Sequence, residues 1–285
     1  MKILYLDLAM GAAGDMVAGA LLGLLSDEEK NAAIKELNAA GIPKTEVSFE
    51  NALVNGIAGV RYRVKIAGRE EGEEAAHEHH HEVEHSEHEH EHQHSHHEHE
   101  HHHSEHNHEH HHAPHEHHSL DTINDIIAKL NLPDTVKERT INVYKTIAEA
   151  EGHVHGKSVT EIHFHEVGNM DAIADIAAAA LLAEKINADK IIASPICTGF
   201  GTVECAHGIL PVPAPATAEI LVGLPAYAGE IEGERCTPTG AAVIKNLADD
   251  FSQMPPMRLK AIGYGLGKRE FAALNAVRAM VGEAE

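Results

Sequence analysis

A mixed α/β or α+β globular part, interrupted by a disordered His/Glu-rich insertion, is the fold class that this 285-residue sequence predicts. Three observations predict it. Apolar runs of helical spacing and runs of period two are interleaved along the chain, which mixes strands with helices throughout. One internal stretch, residues 70–118, holds 23 of the 28 histidines and 15 glutamates, with no Lys or Arg. Finally, no segment approaches the roughly 20 uninterrupted apolar residues of a membrane span.

The elements come in this order. Residues 2–8 read as a strand and Met10-Gly11-Ala12-Ala13-Gly14 as a tight loop. Asp15 then stands where it could cap a helix running to about residue 25. A second helix covers about 27–40. Val47 and Phe49 suggest a strand, and Val60, Tyr62, Val64 and Ile66 alternate in period two. Asn55-Gly56 near the turn supports a hairpin. The His/Glu tract cannot bury enough apolar surface to offset its chain entropy, so it reads as a solvated excursion between two folded parts.

After the tract, Ser119 looks like an N-cap, with Leu120, Ile123, Ile126, Ile127 and Leu130 at helical spacing. Pro133 opens another helix, to about residue 151. A short extended piece, Ile162-His163-Phe164-His165, precedes a strongly apolar helix over about 169–186. A strand near 191–193 leads into a long segment marked by Gly and Pro. Helices near 214–222 and 238–250 and strands near 258–263 and 275–281 complete the chain. The expected organisation is 1–69 as an N-terminal α/β part, 70–118 as the metal-binding insertion, and 119–285 as the part completing the same globular unit. Periodicity does not give the strand order.

Charge and cysteine content exclude several function classes. Removing the tract's 15 glutamates from the formal charge of −23 leaves −8, so the folded part is mildly acidic. No basic face is available to displace phosphate counterions, which argues against a nucleic-acid partner. The N-terminus lacks the order of regions of a signal peptide. Cys197, Cys205 and Cys236 are odd in number and not in CxxC spacing, which points to a reducing cytoplasm and away from a disulfide framework.

The chemistry-bearing residues cluster. Imidazoles in the tract suit nickel, zinc, copper or cobalt, and the interleaved glutamates raise the local cation concentration. The ordinary alternative is an expression tag or a neutral spacer. Four of the five remaining histidines are His153, His155, His163 and His165. In an extended segment positions two apart project to one side, so His163 and His165 could grip a metal together, with Glu166 beside them. Structural, hydrogen-bonded histidines are the alternative.

Asp171 and Asp175 are four apart on a helix that is otherwise nearly all apolar. A carboxylate there is costly unless it is paired or binds a cation, and Asp175 lies deep enough for this to matter. Asp7 ends an apolar strand and Asp15 follows Gly14 at a strand–loop–helix junction that offers free N–H groups. His207, followed by Gly208, is well placed to face a ligand, whereas Cys205 reads as a small core residue. Thr237-Pro238-Thr239-Gly240 opens a helix whose hydroxyls and N–H groups suit an anion, or simply cap it.

Taken together, Tyr5-Leu6-Asp7 with Gly14-Asp15-Met16, the His-rich insertion, His163-Phe164-His165-Glu166-Val167-Gly168 with Asp171, Ala206-His207-Gly208 with Pro211-Val212-Pro213, Thr237-Pro238-Thr239-Gly240 and Gly263-Tyr264-Gly265 resemble the LarC family. The resemblance implies an enzyme, a metal-inserting lyase or nickel chelatase. It would place nickel in pyridinium-3,5-bisthiocarboxylic acid mononucleotide in a CTP-dependent reaction, forming two Ni–S bonds and one Ni–C bond, to make the nickel-pincer cofactor of lactate racemase. Nickel and CTP are thus the implied metal and co-substrate, and other nickel-pincer pathway proteins the implied partners.

Members of that family continue with a C-terminal part associated with CTP, whereas this chain ends at Glu285, so a C-terminal partner is expected or the product is a shorter one. Lys268-Arg269-Glu270-Phe271 also departs from the family's wording after Gly-Tyr-Gly. Roles follow on this reading: nickel on the tract, His163, His165, Asp171, His153 and His155; a proton-accepting base from His207, Glu166 or Asp175; and the nucleotide on Asp7, Asp15, Gly14, Thr237, Thr239 and Gly240. A homo-oligomer is an open expectation. The rival readings are a nickel metallochaperone or storage protein without chemistry, and a nucleotide-dependent hydrolase or transferase.

Overall fold

A computed structural model describes residues 1–70, 118–164, 170–205 and 207–284. The tract proper, residues 71–117, lies outside the described residues, as do His165, Glu166 and the side chain of His163. The chain divides into one unit of Met1–Glu71 with Glu116–Glu285 and a second of Gly72–His115, and every described helix and strand belongs to the first.

In chain order the main elements are β1 (Lys2–Asp7), α1 (Gly14–Leu22), α2 (Asp27–Ala39), β2 (Thr45–Val54), β3 (Ile57–Ile66), α3 (Leu120–Ala128), α4 (Asp134–His155) and α5 (Met170–Ile186). They continue with β4 (Lys190–Ala193), β5 (Thr202–Cys205), β6 (Gly208–Pro211), α6 (Pro215–Ile220), α7 (Pro238–Leu247), β7 (Asp250–Phe251), β8 (Arg258–Leu266) and β9 (Ala276–Glu283).

The mixed α/β class is what the structure has. Its main sheet runs β7-β4-β1-β9-β8-β3-β2, with the short strand Arg69–Glu70 added on β3. β7, β4 and β1 are parallel, β9 is antiparallel to both β1 and β8, β8 meets β3 in parallel, and β2–β3 is an antiparallel hairpin. At its turn Asn55 and Gly56 have φ of 51° and 77°, the conformation that lets a two-residue connection follow the strand twist.

The pleat divides β1 between two environments. Leu4 and Leu6 enter the large core beneath the helices, while Ile3 and Tyr5 join Ile192 and Met280 in a small cluster on the other face. α1 and α5 pack against the sheet, and α4 lies over α5, α6 and α7. α1 rests on the sheet with almost no side chain between them. A Cβ added at Gly265 would stand 1.8 Å from the Met16 carbonyl oxygen, and one at Gly263 would stand 2.2 Å from that of Ala20. The Gly-Tyr-Gly string of β8 is therefore a packing requirement.

Several local expectations change. Asp15 is not the N-cap of α1: that position is Ala13, and the Asp15 carboxylate accepts the Met16 N–H within the first turn. Ser119 does cap α3, accepting the Thr122 N–H. α4 continues past residue 151 to His155 and stops at Gly156, whose φ of 62° satisfies a helix C-cap. The long segment marked by Gly and Pro contains the β5–β6 hairpin, registered from Thr202–Pro211 to Cys205–Gly208. No helix among the described residues is long and apolar enough to cross a membrane.

Candidate functional site

One cavity of about 580 Å³ gathers residues from distant parts of the chain. α1, α5, α6 and α7 all begin at it, contributing Gly14, Asp15 and Met16, then Asp171 and Asp175, then Pro215 and Ala216, then Pro238 and Thr239. α4 ends at it with Glu151, Val154 and His155. The β5–β6 hairpin supplies Glu204, Cys205 and His207. Helix N-termini present backbone N–H groups and a positive dipole end, and the C-terminus of α4 favours a cationic side chain.

Three contacts fix the floor. Gly14 opens α1 directly against α5 and α7, since a Cβ there would stand 2.8 Å from Asp175 Oδ2 and 3.0 Å from Thr239 Cγ2. Gly240 allows the first turn of α7 onto the Ala12 carbonyl, which a Cβ would meet at 2.2 Å. The Thr237 hydroxyl accepts the Gly240 N–H at 3.1 Å, so the helix-capping role expected as the ordinary alternative is present, and Thr237 also lines the cavity. Gly240 itself serves packing and is not among the lining residues.

Two tyrosines stand behind the carboxylates. Tyr144 is fully buried, and burial with the negative charges of Asp171 and Asp175 pushes its hydroxyl far above the usual range. Burial and Asp175 do the same for Tyr62, which donates to the Ala174 carbonyl at 3.3 Å. Both phenols therefore stay protonated, and Asp171 and Asp175 remain half-buried on the cavity wall.

At the mouth, the rings of His155 and His207 lie 5.1 Å apart, and His155 Nε2 is 3.3 Å from Glu151 Oε2. His153 faces elsewhere. Two positions on a helix differ by about 200°, so His153 turns to solvent and meets Glu219 Oε1 at 3.2 Å while His155 faces the cavity. Asp7 is also outside the cavity, ion-paired with Arg278 across β1–β9. Cys205, expected in the core, is a half-exposed cavity residue. His163 begins a short strand whose Phe164 packs edge-on to Tyr144, which brings that segment beside Asp171.

The cavity thus brings together Gly14, Asp15, His155, Asp171, Asp175, His207, Thr237 and Thr239. Sequence reasoning missed Glu151, Tyr62, Arg235, Lys268, Arg269 and Phe271, which also line it. Tyr62 reads simply as an inward strand position, and Arg235 lies in no pattern. Carboxylate, imidazole and thiol donors lining one cavity suit a divalent transition metal. Among the described residues, no three His, Cys, Asp or Glu side chains are already grouped as a ready-made metal site.

Comparison with known families decides the assignment. A model of the nickel insertion protein family matches residues 4–285. The chain belongs to that family. Among its relatives, the pyridinium-3,5-bisthiocarboxylic acid mononucleotide nickel insertion protein of Clostridium kluyveri is 38% identical across 100% of this chain and 63% of that protein. The proteins of the same name from Clostridium acetobutylicum and Geobacillus kaustophilus are 41% and 36% identical, over 65% and 60% of their lengths. This nickel insertion family chain therefore spans about three-fifths of the length of the curated relatives it matches. No solved structure matches it.

Proposed function

We propose that this chain carries the nickel- and substrate-holding cavity for inserting nickel into pyridinium-3,5-bisthiocarboxylic acid mononucleotide, the molecule named for its relatives. The observation that carries the reading is the convergence of Asp171, Asp175, His155 and His207 with the N-termini of α1 and α7 on one cavity. Donors of this kind accept Ni²⁺, and helix N-termini accept an anionic substrate.

The bond changes assign the roles. Two thiocarboxylate sulfurs displace protein donors from nickel. The ring C–H bond then breaks heterolytically, its electron pair forms the Ni–C bond, and nickel stays divalent. His207 takes the proton on a ring nitrogen, with Asp175 and Glu166 as the other candidate bases. Asp171, His155, His163 and His165 hold the incoming metal, and the tract supplies it. CTP enters as co-substrate with the remaining length of the longer relatives, in the cytoplasm, where lactate racemase would be the beneficiary.

The tract's composition favours a second reading, nickel holding without chemistry. Purified chain is mixed with nickel, CTP and the pyridinium bisthiocarboxylate mononucleotide, with and without the C-terminal part of a relative, and lactate racemase activation is followed. Activation that depends on this chain and falls in Asp175→Asn is expected. Nickel retained tightly with no activation in either mixture would leave only the holding role.

A further inference from the structure

We propose that Arg235 anchors the phosphate of the pyridinium mononucleotide, on a basic and aromatic cavity wall that it forms with Lys268, Arg269 and Phe271. The proposal rests on the substrate reading above and adds the orientation in which that substrate lies.

Arg235 is only 2% exposed, yet it lines the cavity. Its Nη2 donates to the carbonyls of Met10 at 2.8 Å and Leu274 at 2.7 Å, and the Phe271 ring covers the guanidinium at 4.3 Å. Its Nη1 is buried and has no hydrogen-bond partner among the described residues. Carbonyls and a ring face hold the group in place but leave its charge uncompensated. A buried cation in that condition is costly until an anion reaches it. Burial lowers its pKa, but arginine remains charged at any physiological pH.

The surroundings suit a phosphate monoester. Lys268 and Arg269 line the same cavity and are exposed, and Arg269 Nη1 is 3.2 Å from Glu234 Oε2. Glu204 lines the same cavity, and Glu204 and Glu270 both stand with Arg269 and Phe271 in a neighbouring pocket, so carboxylates flank these cations. The Met10–Ala13 loop brings the start of α1 alongside, its Ala12 N–H donating to the Arg235 carbonyl and its Ala12 carbonyl accepting the Thr237 N–H. A dianion with several acceptor oxygens matches a guanidinium fork. On the substrate reading the thiocarboxylates go with nickel to Asp171, Asp175, His155 and His207, which leaves the phosphate for Arg235.

Calorimetric titration of the nickel-free chain with nicotinic acid mononucleotide, and with the riboside that lacks only the phosphate, tests this. The mononucleotide should bind at least about tenfold more tightly. Arg235→Met should remove most of that preference while riboside affinity stays, and Arg235→Lys should retain part of it. Equal binding of the two compounds by the wild-type chain overturns the proposal, whether or not the variants fold. So does an undiminished preference in Arg235→Lys and in Lys268→Gln/Arg269→Gln. Nickel and CTP are left out, so a chain that fails at insertion still gives this readout.

Discussion

The imidazoles of His155 and His207 stand with ring centroids 5.1 Å apart, one on the last turn of α4 and the other at the turn between β5 and β6. Two elements distant in sequence thus place ring nitrogens side by side at the entrance of a cavity lined by Asp171 and Asp175. If His207 is the proton acceptor, His207→Ala should slow single-turnover insertion by about 10²–10⁴-fold. His155→Ala should instead weaken nickel retention. Stopped-flow insertion beside nickel dialysis separates the two, and a normal insertion rate in His207→Ala would remove it as the base.

Gly265→Ala should be among the most damaging single changes in the chain. Its Cβ would lie 1.8 Å from the Met16 carbonyl, a backbone atom that cannot swing away. Overpacking of this kind costs on the order of 3 kcal/mol or more. Urea denaturation followed by circular dichroism reads it. Stability equal to wild type would mean that α1 has room to move off the sheet.

Alkaline pH should unfold the protein through its buried phenols. The folded-state pKa values of Tyr62 and Tyr144 are raised, so the folded chain keeps protons that the unfolded chain releases. Their contribution is fully present below the ordinary tyrosine value of about 10 and is lost as pH climbs above it. Absorbance at alkaline pH should show two of the five tyrosines ionising only with unfolding. Tyr144→Phe should make the loss of stability above about pH 10 shallower; an unchanged slope would mean that this phenol titrates while folded.

Cysteine chemistry should follow burial. Cys197 and Cys236 are buried, and burial pushes the Cys236 thiol well above its ordinary value, whereas Cys205 is half-exposed on the cavity wall. A thiol reagent at about pH 8 should label Cys205 quickly and leave Cys236 untouched until the chain unfolds. Nickel should slow the labelling of Cys205. Mass spectrometry of the labelled peptides checks both statements.

Local patterns made much of this fold legible. Period two marked β3, Asn55-Gly56 marked its turn, and Ser119 marked the start of α3, because each depends on neighbours in sequence. The apolar run around Asp171 and Asp175 correctly placed two carboxylates on one buried helix. The strand order was not legible, since it depends on pairings such as Asp7 with Arg278, 271 positions apart. That distant partner also takes Asp7 out of the site. His153 and His155 were indistinguishable in sequence because the helix whose turn separates their directions runs four residues beyond its expected stop. Arg235 gave no local signal at all: its meaning arises only when Phe271, Met10 and Leu274 close around it.

The bare contact between α1 and β8 has a mechanical consequence. With glycines on the sheet and no side chains to act as a cushion, the helix has little slack, and Gly14 at its tip is wedged against Asp175 and Thr239. The cavity therefore has a stiff anvil at its base. Any adjustment to an arriving molecule falls to the rim, to the turn that carries His207 and the connection from Lys268 to Leu274. Altered substrate preference should be sought by changing those two rim segments, because alterations to the base would be felt throughout the sheet.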